Sequence, residues 1–269
     1  MLLGLAASVA LAFLLLPVVA IFVHTSPGRL IAQLSNPVVE DALAVSMKTS
    51  LLAQLLILFF GTPTAYLIAS RRFPGRSLAI TLVELPLVLP PAVAGIGLLA
   101  AFGRLGLLGS SLRALGITLP FTQSAVTIAV AFVASPLYVR QAIAAFETVD
   151  PDLVAASRTL GVGRVRTFAR IVLPLARAGL IAGLALSFAR GLGEFGATIM
   201  FAGSLQGVTQ TLPLAIYAQF DQDFDAAVAM SAVLVLLSIV LLVSLRLLLS
   251  WHSSSSTRSL FRFGLSPSG

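Results

Sequence analysis

Three charged residues stand inside long apolar stretches, and any chemistry within those stretches has to start from them. Arg190 and Glu194 are four residues apart. On a helix that spacing puts both on one face, about 6 Å apart along the axis. Glu84 is the third, and an ion pair between Glu84 and Arg190 across two helices is expected. A charge in an apolar medium costs several kcal/mol unless it is paired or wet. Arg190 and Glu194 therefore either neutralise each other and pack, or form a gate or path element, and the sequence leaves both readings open. Thr198, one turn beyond Glu194, offers a hydroxyl that can donate to an oxyanion. Groups for covalent or metal chemistry are missing. There is no cysteine, and the two histidines, His24 and His252, fall at the ends of apolar runs. The sequence has no HExxH pair and no GxxxxGK[ST] phosphate loop, and Lys48 is its single lysine. The chain is read as no enzyme, with no cofactor, metal or ATP bound by its own residues.

The elements around these residues are membrane spans. Hydrophobic residues make up 58% of the 269, charged residues 10%, and the mean hydropathy is +1.03. A soluble domain needs a charged, hydrated surface that this composition does not supply. A bilayer core of roughly 30 Å takes about 20 apolar residues per helix. Six spans satisfy that length: Leu2–Val23, Thr49–Ser70, Ser77–Phe102, Gln123–Val139, Ala178–Ala202 and Ala226–Leu245. The runs are continuously apolar, not alternating, so helices are expected and not a β-barrel. The first run has no basic leader and is read as a retained span. Pro37–Met47 is expected as a short separate helix, with Asn36 as its N-cap. Pro86, Pro90 and Pro91 interrupt the third span. They mark either a simple kink or a helix bordering a path. Gly179 and Gly183 form a GxxxG pair suited to close packing. The fold class is thus an all-α, polytopic bundle over residues 1–250, with a flexible tail at 251–269.

The net charge of +7 belongs to topology, not to nucleic acid, because the arginines fall in short loops between spans. With both termini in the cytoplasm, twelve basic residues lie inside and four (Arg29, Lys48, Arg104 and Arg113) outside. The longest inside connection, Glu147–Pro174, is also the most ordered by sequence. Asp150 suits an N-cap, Pro151 the first helical position, and Asp152 the first turn. Gly161 and Gly163 permit a sharp turn. Val165, Phe168, Ile171 and Val172 recur at helical spacing, so a second short helix with one apolar stripe is expected, closed by Pro174. Two helices about a glycine hinge form either a solvated loop or a docking knob for a soluble partner.

Asp152-Leu-Val-Ala-Ala-Ser-Arg-Thr-Leu-Gly161, nine residues, then Ile171-Val-Leu-Pro174 resembles the cytoplasmic signature of ABC importer permeases, Glu-Ala-Ala-x-x-x-Gly-x9-Ile-x-Leu-Pro. The glutamate position is Ala155 and the second alanine is Ser157. Leu85–Pro91, Gly193–Gly203 and Thr209–Tyr217 are similar to segments of molybdate and tungstate permeases. Sulfate permeases typically carry Gly-Glu-Tyr-Gly where this chain has Gly193-Glu-Phe-Gly196. The resemblance implies a type I, MetI-like permease of an oxyanion importer in the inner membrane. It implies that Asp152, Ala155, Ala156, Ser157, Gly161, Ile171, Leu173 and Pro174 couple to an ABC ATPase. Glu84, Pro90, Pro91, Arg190, Glu194 and Thr198 are the candidates for a translocation path or gate. The implied partners are two copies of the ATPase, which uses ATP and Mg, a second copy of this chain on a two-fold axis, an external oxyanion-binding protein and the lipid bilayer. The alternatives are a sulfate or thiosulfate permease, and an ATPase-independent channel or secondary transporter.

Overall fold

In the computed structural model the backbone is described over residues 2–260 and the side chains over residues 3–244. Regular structure among them is helical. Helix α1 (Leu2–His24) is apolar on every face, and none of its hydrophobic window is buried within the chain. Helix α2 (Pro27–Leu34) starts at Ser26, whose Oγ accepts from the Arg29 amide at 3.3 Å. Helix α3 (Pro37–Leu56) passes through a π-helical turn, Ile57–Gly61, into α4 (Thr62–Ser70). Helices α5 (Arg76–Val88) and α6 (Pro91–Phe102) follow, then the short α7 (Gly109–Ala114) and the long α8 (Gln123–Glu147). Helix α9 (Pro151–Thr159) precedes α10 (Arg164–Thr167), which runs through a second π-helical turn, Phe168–Val172, into α11 (Leu173–Leu192). Helices α12 (Gly196–Ala202), α13 (Leu212–Phe220) and α14 (Phe224–Leu260) complete the order. Prolines open α2, α3, α6 and α9, where the missing amide proton leaves no bond unmade.

Five helical stretches are long and apolar enough to cross a membrane, or six if the bent pair α5–α6 counts as one span. That pair departs from the expected third span. Its two helices are bent by 111° at the break, because Pro90 and Pro91 supply no amide proton to carry the ladder across it. The predicted second helix at Pro37–Met47 is instead the start of α3. Asn36 does cap it, its Oδ1 accepting from the Val38 amide at 3.0 Å. The fifth span also differs. It begins at Arg164 and ends at Leu192, and Gly193–Phe195 breaks the chain before α12. Pro174 does not close a loop helix. It sits in the first turn of α11, after a π-helical turn in which the Leu173 amide reaches back to the Phe168 carbonyl. Pro63 follows the other π-helical turn in the same way. A proline clashes with the carbonyl four residues before it, and one widened turn relieves the clash without ending the helix. Of the tail expected at 251–269, α14 is described to Leu260 and residues 261–269 lie outside the described part.

The chain divides into two compact units, each made of three stretches. The first comprises the chain to Leu55, Pro86–Val133 and Arg190–Ile239. Its centre is alanine-rich. Ala94 and Leu98 of α6, Ala125 and Ala129 of α8, and Ala197 and Phe201 of α12 form one cluster. Small residues let helix backbones approach where lipid supplies no hydrophobic drive. Gly95 shows how closely, since a Cβ there would lie 2.7 Å from the Ala197 carbonyl oxygen. A second cluster joins Val39 and Ala42 of α3, Leu212 and Ala215 of α13, and Met230 of α14. Beside it Ser46 Oγ accepts from the Leu212 amide at 2.8 Å, giving a partner to one of the amides a helix start leaves over.

The second unit comprises Leu56–Leu85, Ala134–Ala189 and the chain from Val240. Here Gly179 and Gly183 of α11 do pack closely. A Cβ at Gly183 would lie 2.9 Å from Gln141 Cβ on α8, and one at Gly179 would meet Ala145. Tyr138 is buried against Gly61, and its hydroxyl lies 2.7 Å from Thr62 Oγ1. Tyr66, Phe146 and Phe168 form an aromatic trio with ring centroids 4.7–6.0 Å apart.

Candidate functional site

The connection between α8 and α11 is an elbow, and its geometry follows from the local sequence. Asp150 Oδ1 accepts from the Asp152 amide at 2.9 Å and caps α9. At the other end Gly161 has φ +78°. Its amide reaches the Arg158 carbonyl at 3.0 Å, and the Val162 amide reaches the Ser157 carbonyl at 3.1 Å. That pair of bonds is the Schellman motif, which needs a left-handed residue where Gly161 stands. The chain then re-enters helix at Arg164, with Gly163 extended before it. Ser157 and Thr167 lock the two arms together, their hydroxyl oxygens 3.0 Å apart and both residues buried.

The outer face of the elbow is open. Asp152, Ala155, Ala156 and Gly161 are exposed, and so are Leu173 and Pro174 at the root of α11. Ile171 is half-buried, and Ser157 faces inward. The apolar stripe expected on the second helix is only partly on one face. Val172 is buried and Phe168 joins the aromatic trio, but Val165 is 83% exposed. Leu160 is 82% exposed beside it. Two large apolar side chains exposed on the elbow suit a partner's groove better than solvent. Thr167, which holds Ser157, drew no attention in the sequence. A hydroxyl ten residues from another carries no periodicity signal, and only the turn at Gly161 brings them together.

Of the two ion pairs the sequence offered, Arg190 with Glu194 forms and Glu84 with Arg190 does not. Arg190 Nη1 lies 2.8 Å from Glu194 Oε2. The Glu194 side chain is 1% exposed and that of Arg190 33%. The other carboxylate oxygen accepts from the Ala197 amide at 2.8 Å, so Glu194 also holds the break that precedes α12. Glu84 does not pair with Arg190. Its partner is Arg140 of α8, at 3.4 Å. A fourth span ending at Val139 leaves Arg140 outside it, whereas α8 continues to Glu147. Thr198 is fully buried, and its hydroxyl donates to the carbonyls of Glu194 and Phe195 at 3.2 and 3.1 Å. Pro90 and Pro91 are exposed at the α5–α6 break. Pro91 lies against α12, where a Cβ on Gly196 would be 2.6 Å from Pro91 Cβ.

Comparison with known proteins agrees with this architecture. The chain is 45% identical over 227 residues, 84% of its length and 86% of the relative's, to the molybdenum transport system permease protein ModB of Mycobacterium tuberculosis. It is 37% identical over 80% of its length, and 78% of the relative's, to the sulfate transport system permease protein CysT of Salmonella typhimurium. Among solved structures, a chain of a bacterial alginate ABC transporter, crystallised with an alginate pentasaccharide-bound periplasmic protein, shares its fold at a TM-score of 0.70. The identity there is 16%, and the match covers 91% of each chain. A family model of binding-protein-dependent transport system inner membrane components matches residues 57–255. With spans, signature elbow and relatives in agreement, the chain belongs to the family of binding-protein-dependent transport system inner membrane components.

Proposed function

We propose that this chain is the permease subunit of an ATP-driven importer of molybdate, with tungstate as a close competitor. The observation that carries the reading is its 45% identity to a molybdenum permease over 84% of the chain. A sulfate permease is the second reading, favoured by the 37% match to a sulfate relative. Discrimination between these tetrahedral dianions then belongs in part to an external binding protein, which docks on the side opposite the elbow. Both termini lie in the cytoplasm in this reading, as the arginine distribution suggests.

Two copies of the chain stand about a two-fold axis and each receives one ATPase. The exposed face of α9 and the turn after it seat in the ATPase, with Leu160 and Val165 as the apolar anchors. When ATP closes the two ATPases, the knob moves as a rigid body, because the Schellman turn and the Ser157–Thr167 contact leave it no internal hinge. The motion passes into α10–α11, whose last turn carries Arg190. Helix α11 alone spans about 30 Å. It acts as the lever between the elbow and the Arg190–Glu194 pair, which serves as the gate. ATP and Mg are held by the ATPase.

The test is uptake of labelled molybdate, tungstate and sulfate by the complex reconstituted in vesicles with its ATPase and binding protein. Molybdate uptake that needs ATP hydrolysis, with sulfate at least tenfold poorer on the order of one lost polar contact, is the expected result. Uptake by the chain alone, without an ATPase, would replace the reading with a channel or secondary transporter.

A further inference from the structure

A cavity of the second unit lies beside the elbow, and it is lined with arginine. Its volume is about 860 Å³, within the usual range for a small-molecule site. Arg71 and Arg72 enter it from the connection after α4, Arg76 from the start of α5, and Arg158 and Arg164 from the two arms of the elbow. One carboxylate, Glu147, faces these five guanidinium groups, and it is bound by Arg76. Arg76 is further tied to the Ile68 carbonyl at 2.9 Å. The side chains of Arg71, Arg72, Arg158 and Arg164 have no hydrogen-bond or ion-pair partner among the described residues. Four unpaired cations around one hollow repel one another, and an anion in the hollow relieves that repulsion.

Arginine sets the chemistry of the anion. Its planar fork matches the paired oxygens of phosphate-type groups and binds them bidentately. The rest of the lining sets the source. Tyr66, Phe146, Val154 and Val172 give the hollow an apolar wall. Arg71 and Arg72 directly follow the end of α4 at Ser70, and Glu147 is the last residue of α8. Phosphate oxygens beside hydrocarbon at the end of a span describe a lipid headgroup. We propose that this hollow binds a phosphate-type tetrahedral oxyanion, presented by an anionic phospholipid. Pro151, Val154, Ala155 and Arg158 of α9 form part of the same lining, so the bound headgroup braces the elbow. The inference rests on the membrane fold and not on the identity of the cargo.

The test uses the full-length chain assembled with its ATPase partner. Complexes are loaded from phosphatidylcholine vesicles with and without phosphatidylglycerol, exchanged into detergent, and their retained lipid is counted by mass spectrometry. In a lipid-free arm, inorganic phosphate and molybdate are titrated while the melting midpoint is followed. Wild type is expected to retain phosphatidylglycerol and shed phosphatidylcholine. Arg71→Gln/Arg72→Gln and Arg158→Gln/Arg164→Gln are each expected to lose about tenfold in retention, as charge-assisted bonds are removed. Ala155→Glu, which puts a carboxylate into the hollow, is expected to lower retention with every arginine intact. This last variant keeps the proposal testable if the arginine variants fold poorly. Arginine-dependent binding of free phosphate or molybdate, without lipid retention, upholds the oxyanion site and assigns its source to solution. Equal loss in Arg104→Gln/Arg113→Gln, whose side chains lie outside the hollow, reduces the effect to net charge and overturns the proposal. Variants that bind the ATPase more weakly, in a complex that holds neither lipid nor free anion, make the hollow a protein-docking face and also overturn it.

Discussion

Ser157 and Thr167 meet at 3.0 Å with both side chains out of water, and a contact of that kind is costly to break by halves. Removing the Thr167 hydroxyl strands that of Ser157, removing the Ser157 hydroxyl leaves Thr167 only a long 3.4 Å bond to the Val162 carbonyl, and removing both leaves a small apolar gap. Ser157→Ala and Thr167→Val are each expected to lower stability by about 1–2 kcal/mol. The double variant is expected to cost less than their sum, with a coupling of roughly 1 kcal/mol by thermal denaturation of the purified complex. The ion pair obeys the same asymmetry. Glu194 is the buried partner and Arg190 the half-wet one. Arg190→Ala, which orphans a buried carboxylate, is expected to cost more than Glu194→Gln, by about 1–2 kcal/mol in melting experiments. An Arg190→Ala protein as abundant, stable and transport-competent as wild type would remove both the packing and the gating role of the pair.

At the scale of elements, two glycines carry distinct loads. Gly161 sits at φ +78° with open space around its missing Cβ, so a substitution there meets backbone strain and no clash. Gly161→Ala is expected to cost about 1 kcal/mol, and Gly161→Asn less, because asparagine tolerates the left-handed region. Gly161→Trp adds bulk at the docking tip. It is expected to uncouple ATP hydrolysis from uptake while leaving membrane insertion intact, read as ATPase turnover with no transport. Gly95 is the opposite case. Its helix is ordinary, but a Cβ would lie 2.7 Å from Ala197 O and 2.7 Å from Met200 Cβ. Gly95→Ala is expected to lose about 1–3 kcal/mol by forcing α6 off α12. Gly97, two residues along the same helix, has nothing within 4 Å. Gly97→Ala is expected to be neutral or slightly stabilising, since it raises helix propensity and meets no neighbour.

For the whole molecule the governing fact is where apolar residues end up. Large side chains such as Phe13, Leu16, Phe59, Phe60 and Leu82 are more than half exposed, while alanines fill the helix contacts of the first unit. Lipid solvates the large residues, and close backbone packing, not water exclusion, joins the helices. Stability is therefore expected to respond weakly to Leu→Ala on lipid faces such as Leu82, and strongly to Ala→Leu at Ala94 or Ala129. The two sets of melting midpoints in one detergent would show the contrast.

Composition and run length alone determined that the chain spans a membrane as helices, because no water-facing surface can be made from so few charges. The spacing of Asp150, Pro151, Gly161 and Gly163 likewise determined the elbow, since caps and left-handed turns depend on neighbours a few residues apart. Three features came only from the tertiary structure. Glu84 chose Arg140 because α8 runs eight residues past the expected end. The third span broke sharply because two prolines left the ladder without donors, a direction no periodicity encodes. The arginines of the hollow, scattered from Arg71 to Arg164 in the sequence, line one cavity because separate connections converge on it. Local hydrogen bonding is written in neighbouring residues, but partners distant along the chain are fixed by packing.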